Sequence, residues 1–100
     1  MPDFGTIRDI PTIGKKLSRQ ELARALRFSI AAEYEAVQIY EQIIESTDDR
    51  DVIAVINDII DEEKKHAGQF MDILFEVDTQ EWKKYDQGKD ENKKIQNKDK

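Results

Sequence analysis

Apolar residues recur at helical spacing in two long stretches of the chain. The first stretch follows Ser18 and contains Leu22, Leu26, Ile30, Glu33, Val37, Tyr40 and Ile44. The second contains Val52, Ile56, Ile59, Glu63, His66, Phe70 and Leu74. Steps of three and four residues return to one face of an α-helix. The pattern predicts two amphipathic helices, ending near Glu45 and Val77, whose apolar faces carry Glu33, Glu63 and His66.

The segment between these helices predicts how they are arranged. Ser18 and Glu21 form a capping box that starts the first helix, and residues 46–49 form a short turn. Helices joined by so short a turn are antiparallel neighbours. Counting back along both helices from the turn brings Glu33 opposite residue 62, within one residue of Glu63. The two carboxylates are therefore expected at the same level, with His66 one turn further along.

The remaining segments predict less structure. Residues 1–16 contain two prolines and two glycines and are expected to form an extended N-terminal arm. Residues 17–78 form the helical hairpin, and residues 79–88 a short third helix that Gly88 ends. Trp82 and Tyr85 on that helix are expected to contact the same hairpin or a neighbouring subunit. Residues 89–100 are polar and predict a disordered tail.

Composition limits the class of protein. One hundred residues allow one small domain, and the absence of cysteine excludes disulfides, iron–sulfur clusters and a four-cysteine iron site. A net charge of −6 argues against nucleic acid and anionic membranes as partners. No apolar run approaches the roughly 20 residues of a membrane span. The amino terminus lacks the pattern of a signal peptide, so a cytoplasmic location is expected.

Glu63 and His66 are three residues apart, which puts both side chains on one face of a helix. Carboxylates in an apolar stripe are costly unless they are paired or bound to metal. The Glu-x-x-His pair is typical of di-iron carboxylate bundles, which use four glutamates and two histidines. A buried Glu–His hydrogen bond, or a helix end at which both side chains reach water, is the alternative.

The chain supplies half of the di-iron ligand set and half of the four helices. A two-fold dimer would supply the other half and bury both apolar faces. The predicted fold class is therefore all-α, with an antiparallel two-helix hairpin and a short C-terminal helix. Two such chains are expected to dimerise into a ferritin-like four-helix bundle.

Three runs of residues carry a resemblance to a known family. They are Ser29-Ile30-Ala31-Ala32-Glu33-Tyr34-Glu35-Ala36-Val37, Tyr40-Glu41-Gln42 and Asp61-Glu62-Glu63-Lys64-Lys65-His66-Ala67, with the turn at 46–48 between the last two. Over residues 20–78 the chain resembles the encapsulated ferritins, short relatives of ferritin and rubrerythrin housed inside encapsulin shells. The resemblance implies a site formed at a dimer interface, a decamer of five dimers, and ferroxidase activity with Fe(II) and O₂. It also implies that the encapsulin shell stores the iron mineral.

The resemblance also assigns roles to single residues. Glu33, Glu63 and His66 correspond to the ligands of a di-iron centre with two irons per dimer. Tyr40 corresponds to a tyrosine near that centre, where it would act from the partner chain as a hydrogen-bond donor or an electron source. A buried core residue with a satisfied hydroxyl is the alternative for Tyr40.

A second site implied by the resemblance takes up metal from the central channel of the ring. Glu35 corresponds to one of its acidic residues, whereas Ala32 stands where another carboxylate is expected. Ile39 stands where some members carry tryptophan. No shell-targeting peptide is evident in the tail, so targeting is expected to lie beyond this chain or in a fusion to a shell protein.

Other functions remain open from the sequence. The same ligands suit a metal-stabilised structural or cargo protein without turnover. A flavin-binding ferritin-like module would use Trp82 or Tyr85 at a subunit interface. A rubrerythrin-like peroxidase is disfavoured because the four-cysteine electron-relay domain is missing.

Overall fold

Three α-helices account for nearly all of the described chain. A computed structural model describes residues 16–98, which form α1 (Arg19–Glu45), α2 (Arg50–Val77) and α3 (Thr79–Lys98). The described residues contain no strand, so the predicted all-α fold is confirmed. Apart from Lys16, the arm predicted for residues 1–16 lies outside the described residues. None of the three helices is long and apolar enough to cross a membrane.

Side-chain caps fix where α1 and α2 begin. The Ser18 hydroxyl accepts the Glu21 backbone N–H at 3.1 Å, and the Glu21 carboxylate accepts the Ser18 N–H at 2.9 Å. The Asp49 carboxylate accepts the N–H groups of Asp51 and Val52 at 3.0 and 3.2 Å. Each cap satisfies amides that have no partner within the helix and contributes about 1 kcal/mol. The predicted capping box is therefore confirmed.

The core of the hairpin is one helix–helix contact. Its main cluster consists of Ala23, Leu26 and Leu74, with Ile30, Phe70 and Val77 packed against it. On α2 the buried side chains are seven residues apart, at Ile60, Ala67 and Leu74. Such spacing gives a single line along a helix, so two helices meet along a narrow strip. The radius of gyration is 17.5 Å, against about 13 Å for a compact chain of this length.

Part of the predicted apolar stripe is exposed in the single chain. Leu22, Val52 and Ile59, which the sequence places in the stripe, are all exposed. The buried line of α2 begins at Ile60, and one residue corresponds to about 100° of rotation. The predicted stripe therefore straddles the edge of the contact between α1 and α2. We call the exposed line of Ile59, His66 and Ile73 the open face of α2.

Asp78 is the only residue between α2 and α3. Its carboxylate accepts the N–H groups of Gln80 and Glu81 at 3.1 and 3.3 Å and so caps α3. The Arg27 guanidinium on α1 bonds to the same carboxylate at 2.9 Å and to that of Glu81. These contacts fix the direction in which α3 leaves the hairpin.

An aromatic contact holds the first half of α3. The rings of Phe75 and Tyr85 lie 5.4 Å apart between centroids and are tilted by 55°. Tyr85 therefore contacts its own hairpin, one of the two alternatives that the sequence left open. Trp82 is half exposed.

The predicted end of the third helix at Gly88 is wrong, and so is the disordered tail as far as the structure describes it. α3 continues through Gly88 to Lys98. A glycine inside a helix costs only about 1 kcal/mol relative to alanine. Asp90 and Lys94 have the i, i+4 spacing, with the acid first, that favours a helix. Gly88 also lacks the positive φ of a glycine that ends a helix.

Candidate metal centre

The register of the hairpin brings two glutamates to the same level. The Arg19 guanidinium donates to the Val77 carbonyl at 3.1 Å, which fixes α1 against the end of α2. Glu33 lies fourteen residues after Arg19, and Glu63 lies fourteen residues before Val77. Because both helices rise about 1.5 Å per residue, the two glutamates meet across the hairpin. This is the level that the turn length predicts.

Glu33, Glu63 and His66 bring their ligand atoms together. One carboxylate oxygen from each glutamate and one imidazole nitrogen all lie within 4.8 Å of one another. The His66 Nδ1 lies 3.9 Å from the Glu33 Oε1, which is too long for a hydrogen bond. Two donors bound about 2.1 Å from one ion lie at most about 4.2 Å apart. Small side-chain rotations are therefore enough for these three groups to share a metal ion.

The group lies at the edge of the hairpin. The Glu33 side chain is 18% exposed, whereas the His66 side chain is 47% exposed. Glu63 is half buried. The glutamates therefore reach out of the contact between the helices, and the imidazole stands on the open face. A metal ion held here would keep one side accessible to further ligands.

Within the part of the chain that the structure describes, residues 16–98, basic side chains do not balance the charge of the two glutamates. No lysine or arginine there forms an ion pair with Glu33 or Glu63. Lys65, two residues from Glu63, instead bonds to Glu62 at 3.1 Å and to Asp61 at 3.2 Å. The hydrogen bonds to Glu62 and Asp61 raise the pKa of Lys65. Two neighbouring carboxylates without a cation favour the binding of a positive ion.

Tyr40 and Glu35 are not part of this group. Tyr40 is half buried and lies seven residues from Glu33 on α1, about 10 Å away by helix rise. Glu35 lies two residues from Glu33, which corresponds to about 200° of rotation. Within the described chain, the Glu35 carboxylate does not belong to the cluster of ligands. Their roles at a centre or a metal-uptake site remain predictions.

A cleft of about 390 Å³ adjoins the ligands, and its lining is mostly α2. The residues that line it are Glu33, His66, Gln69, Phe70 and Ile73. Sequence reasoning did not single out Gln69, because it falls off the apolar stripe. Its position one helical turn after His66 is the signal that points to it.

The fold and the site together define a class of protein. A helical hairpin that carries two glutamates and a histidine at the edge of the contact between its helices corresponds to half of a ferritin-like bundle. The profile described as EncFtn-like matches residues 13–87, and the chain belongs to this family. The resemblance to encapsulated ferritins that the motifs indicate is thereby confirmed.

Two curated relatives are similar over about two thirds of the chain. The "Encapsulin nanocompartment cargo protein EncC" of Myxococcus xanthus is 33% identical over 69 residues, which are 69% of this chain and 53% of the relative. The "Ferritin-like-encapsulin shell fusion protein" of Pyrococcus furiosus is 36% identical over 67 residues, which are 67% of this chain and 19% of the relative. The chain thus spans about half of the first relative and about a fifth of the second.

A solved structure has the same fold. The crystal structure of the encapsulated ferritin domain from Pyrococcus furiosus matches with a TM-score of 0.79 and 31% sequence identity. The match covers 87% of this chain and 89% of that chain. The family is thus one of ferritin-like proteins associated with encapsulins.

Proposed function

We propose that this chain is a ferroxidase that oxidises Fe(II) with O₂ at a centre shared by two copies, within an encapsulin shell that stores the iron. The observation that carries the proposal is the convergence of Glu33, Glu63 and His66 within 4.8 Å of one another. The family supports the same conclusion, because it is ferritin-like.

The ligand types suit iron and its oxidation. Carboxylate oxygen and imidazole nitrogen bind Fe(II), and the sequence contains no cysteine thiolate. Carboxylates stabilise a trivalent ion more than a divalent ion because the Coulomb attraction grows with the charge of the ion. Loss of an electron by the iron is therefore favoured at this site.

The number of donors and the open face both support a centre formed by two copies. Three donors per chain leave a metal ion with free positions, and a four-helix di-iron site uses twice as many. The exposed isoleucines of the open face, Ile59 and Ile73, flank His66 on both sides. A second copy related by a two-fold axis would cover them and bring its own three donors to the same place.

A centre with two irons matches the electron demand of oxygen. Each Fe(II) gives up one electron and becomes Fe(III). One O₂ takes up both electrons and two protons and becomes hydrogen peroxide. Glu63 and His66 would act as terminal ligands of each iron, and Glu33 from each chain would bridge or cap the pair.

Tyr40 and Glu35 belong to the proposal in supporting roles. Tyr40 of one copy would reach the centre of its partner as a hydrogen-bond donor or an electron source. Glu35 would take part in metal uptake, where Ala32 leaves that site one carboxylate short of the pattern that the family implies.

The proposal extends to the assembly and its location. One relative is named a nanocompartment cargo protein and another a fusion to a shell protein. We place this chain in the same setting, as a decamer of five dimers in the cytoplasm, held inside an encapsulin shell.

Stopped-flow oxidation of Fe(II), with anaerobic titration of Fe(II) binding, tests the site. Glu33→Ala, Glu63→Ala and His66→Ala are each expected to reduce the rate greatly, because two-fold symmetry removes two ligands with every substitution. Glu62→Ala is the matched control, since this carboxylate is adjacent in sequence but bonds to Lys65. It is expected to leave the rate unchanged.

Two outcomes would overturn the assignment in different ways. Loss of oxidation in Glu62→Ala but not in Glu63→Ala would mean that Glu62, one residue away on the helix, is the ligand, and the proposed site would fall. Tight binding of Fe(II) without oxygen consumption by the unaltered protein would favour the alternative of a metal-stabilised cargo protein.

A further inference from the structure

The cleft beside the ligands combines two kinds of surface. Glu33 and His66 contribute candidate metal ligands, whereas Phe70 and Ile73 contribute apolar side chains. Gln69 is exposed and is the remaining polar residue of the lining. The volume of about 390 Å³ is well above the roughly 10–15 Å³ that a cavity needs, on the same measure, to hold one water molecule. A diatomic gas therefore has room beside a bound metal ion.

The two substrates of a ferroxidase have opposite chemistry. Hydrated Fe(II) gains nothing from an apolar wall and would lose hydration there. O₂ carries no charge and is favoured next to apolar surface, just as xenon is bound by apolar cavities. We propose that the cleft lined by Phe70 and Ile73 is the route by which O₂ reaches the iron, separate from the route that Fe(II) takes. This inference rests on the proposed function.

The two isoleucines of the open face differ in their relation to the cleft. Ile59 and Ile73 each lie seven residues from His66, in opposite directions along the open face. They are similarly exposed, at 37% and 43%, and each is about 10 Å from His66 by helix rise. Of the two, only Ile73 lines the cleft. A second copy laid on the open face would cover both isoleucines, and the inference requires that the cleft beside Ile73 stays open under it.

A pair of matched substitutions tests the route. Ile73→Trp fills the cleft, and Ile59→Trp makes the same change at the equivalent distance on the other side of His66. Protein loaded anaerobically with Fe(II) is mixed with buffer containing graded concentrations of O₂, and the initial rate of oxidation is measured. Native mass spectrometry checks that both variants assemble as the unaltered protein does.

The expected result is a change in the dependence on O₂ alone. In Ile73→Trp the apparent KM for O₂ rises on the order of tenfold, which corresponds to about 1.4 kcal/mol. Both substitutions lie in the proposed dimer contact, so the rate at saturating O₂ and the affinity for Fe(II) are compared between the two variants and are expected to be the same in both. Ile59→Trp leaves the apparent KM for O₂ unchanged.

The inference falls if both variants behave alike, or if Ile73→Trp changes Fe(II) binding or the saturated rate without changing the KM for O₂. In either case the proposed function stands, because the unaltered protein still oxidises iron. If the unaltered protein does not oxidise Fe(II), the proposed function fails and the route fails with it.

A second measurement tests the route in case Ile73→Trp does not assemble. Crystals of the unaltered protein pressurised with xenon are expected to show a xenon atom in contact with Phe70 and Ile73. Xenon bound elsewhere, with none in this cleft, would overturn the inference.

Discussion

The closeness of Glu33 and Glu63 predicts that one conservative substitution stabilises the metal-free protein. A carboxylate oxygen of each lies within 4.8 Å of the other. Two unit charges at that distance repel by about 1 kcal/mol in water and by about 3.5 kcal/mol at an effective dielectric constant of 20. Glu33 is 18% exposed, so the repulsion falls between these limits. Glu33→Gln keeps the size of the side chain and removes the repulsion.

Thermal unfolding, followed by circular dichroism at equal protein concentrations and with a chelator present, measures this effect. Glu35→Gln is the control, because it changes the net charge of −6 by the same single unit on the same helix but outside the cluster of ligands. Both variants are measured in the same buffer and at the same pH. A gain of 1 kcal/mol raises the Tm of a domain this small by about 4–8 °C. Glu33→Gln is therefore expected to unfold at least about 4 °C above Glu35→Gln.

Fe(II) added under anaerobic conditions is expected to raise the Tm of Glu35→Gln above that of Glu33→Gln. An ion at about 100 times its dissociation constant stabilises the folded state by about 2.7 kcal/mol. The unaltered protein and Glu35→Gln are expected to gain this stability, and Glu33→Gln is expected to gain little of it. A metal-free Tm of Glu33→Gln at or below that of Glu35→Gln would refute the repulsion. If Fe(II) stabilises Glu33→Gln as much as it stabilises the unaltered protein, Glu33 is not a ligand.

Three further predictions concern the assembly and the hairpin. Anaerobic titration is expected to saturate at one tightly bound Fe(II) per chain, because two chains share two irons; two per chain would mean that the ligands are misplaced. Removal of metal is expected to weaken the dimer in native mass spectrometry, since the carboxylates of both copies then face one another. A chain that is monomeric with and without Fe(II) would contradict a shared centre. Arg27→Ala is expected to speed hydrogen exchange in α3, because it removes the ion pairs with Asp78 and Glu81, whereas the control Arg24→Ala is expected to leave it unchanged. These ion pairs are partly exposed, so the loss of stability is at most about 1 kcal/mol.

The level of the ligands was predictable from the sequence because it depends on two regular quantities. One is the rise of an α-helix, and the other is the length of the turn between α1 and α2. Together they bring Glu33 to Glu63 without any knowledge of side-chain packing. The capping residues Ser18 and Asp49 fixed the starts of the helices in the same local way.

Features that depend on competing contacts were less predictable. Ile59 and Ile60 are adjacent and equally apolar, and only the packing of α1 decides that Ile60 is buried and Ile59 exposed. Gly88 is a weak signal, because its cost of about 1 kcal/mol is offset by the helix-forming residues around it. Gln69 gave no apolar signal, and its place beside the ligands follows from the shape of the cleft.

The stretch of α2 that leads to the candidate ligands has a consequence for how this protein can change during evolution. The buried Ile60 and the candidate ligands Glu63 and His66 lie on one continuous helix. One residue inserted or deleted between Ile60 and Glu63 would move both ligands by about 1.5 Å along the axis and 100° around it relative to Ile60. The helix could still form, but Glu33, Glu63 and His66 would no longer meet. Changes of length are therefore expected to be eliminated by selection in this part of α2, whereas the turn before it can accept them because it lies outside both helices.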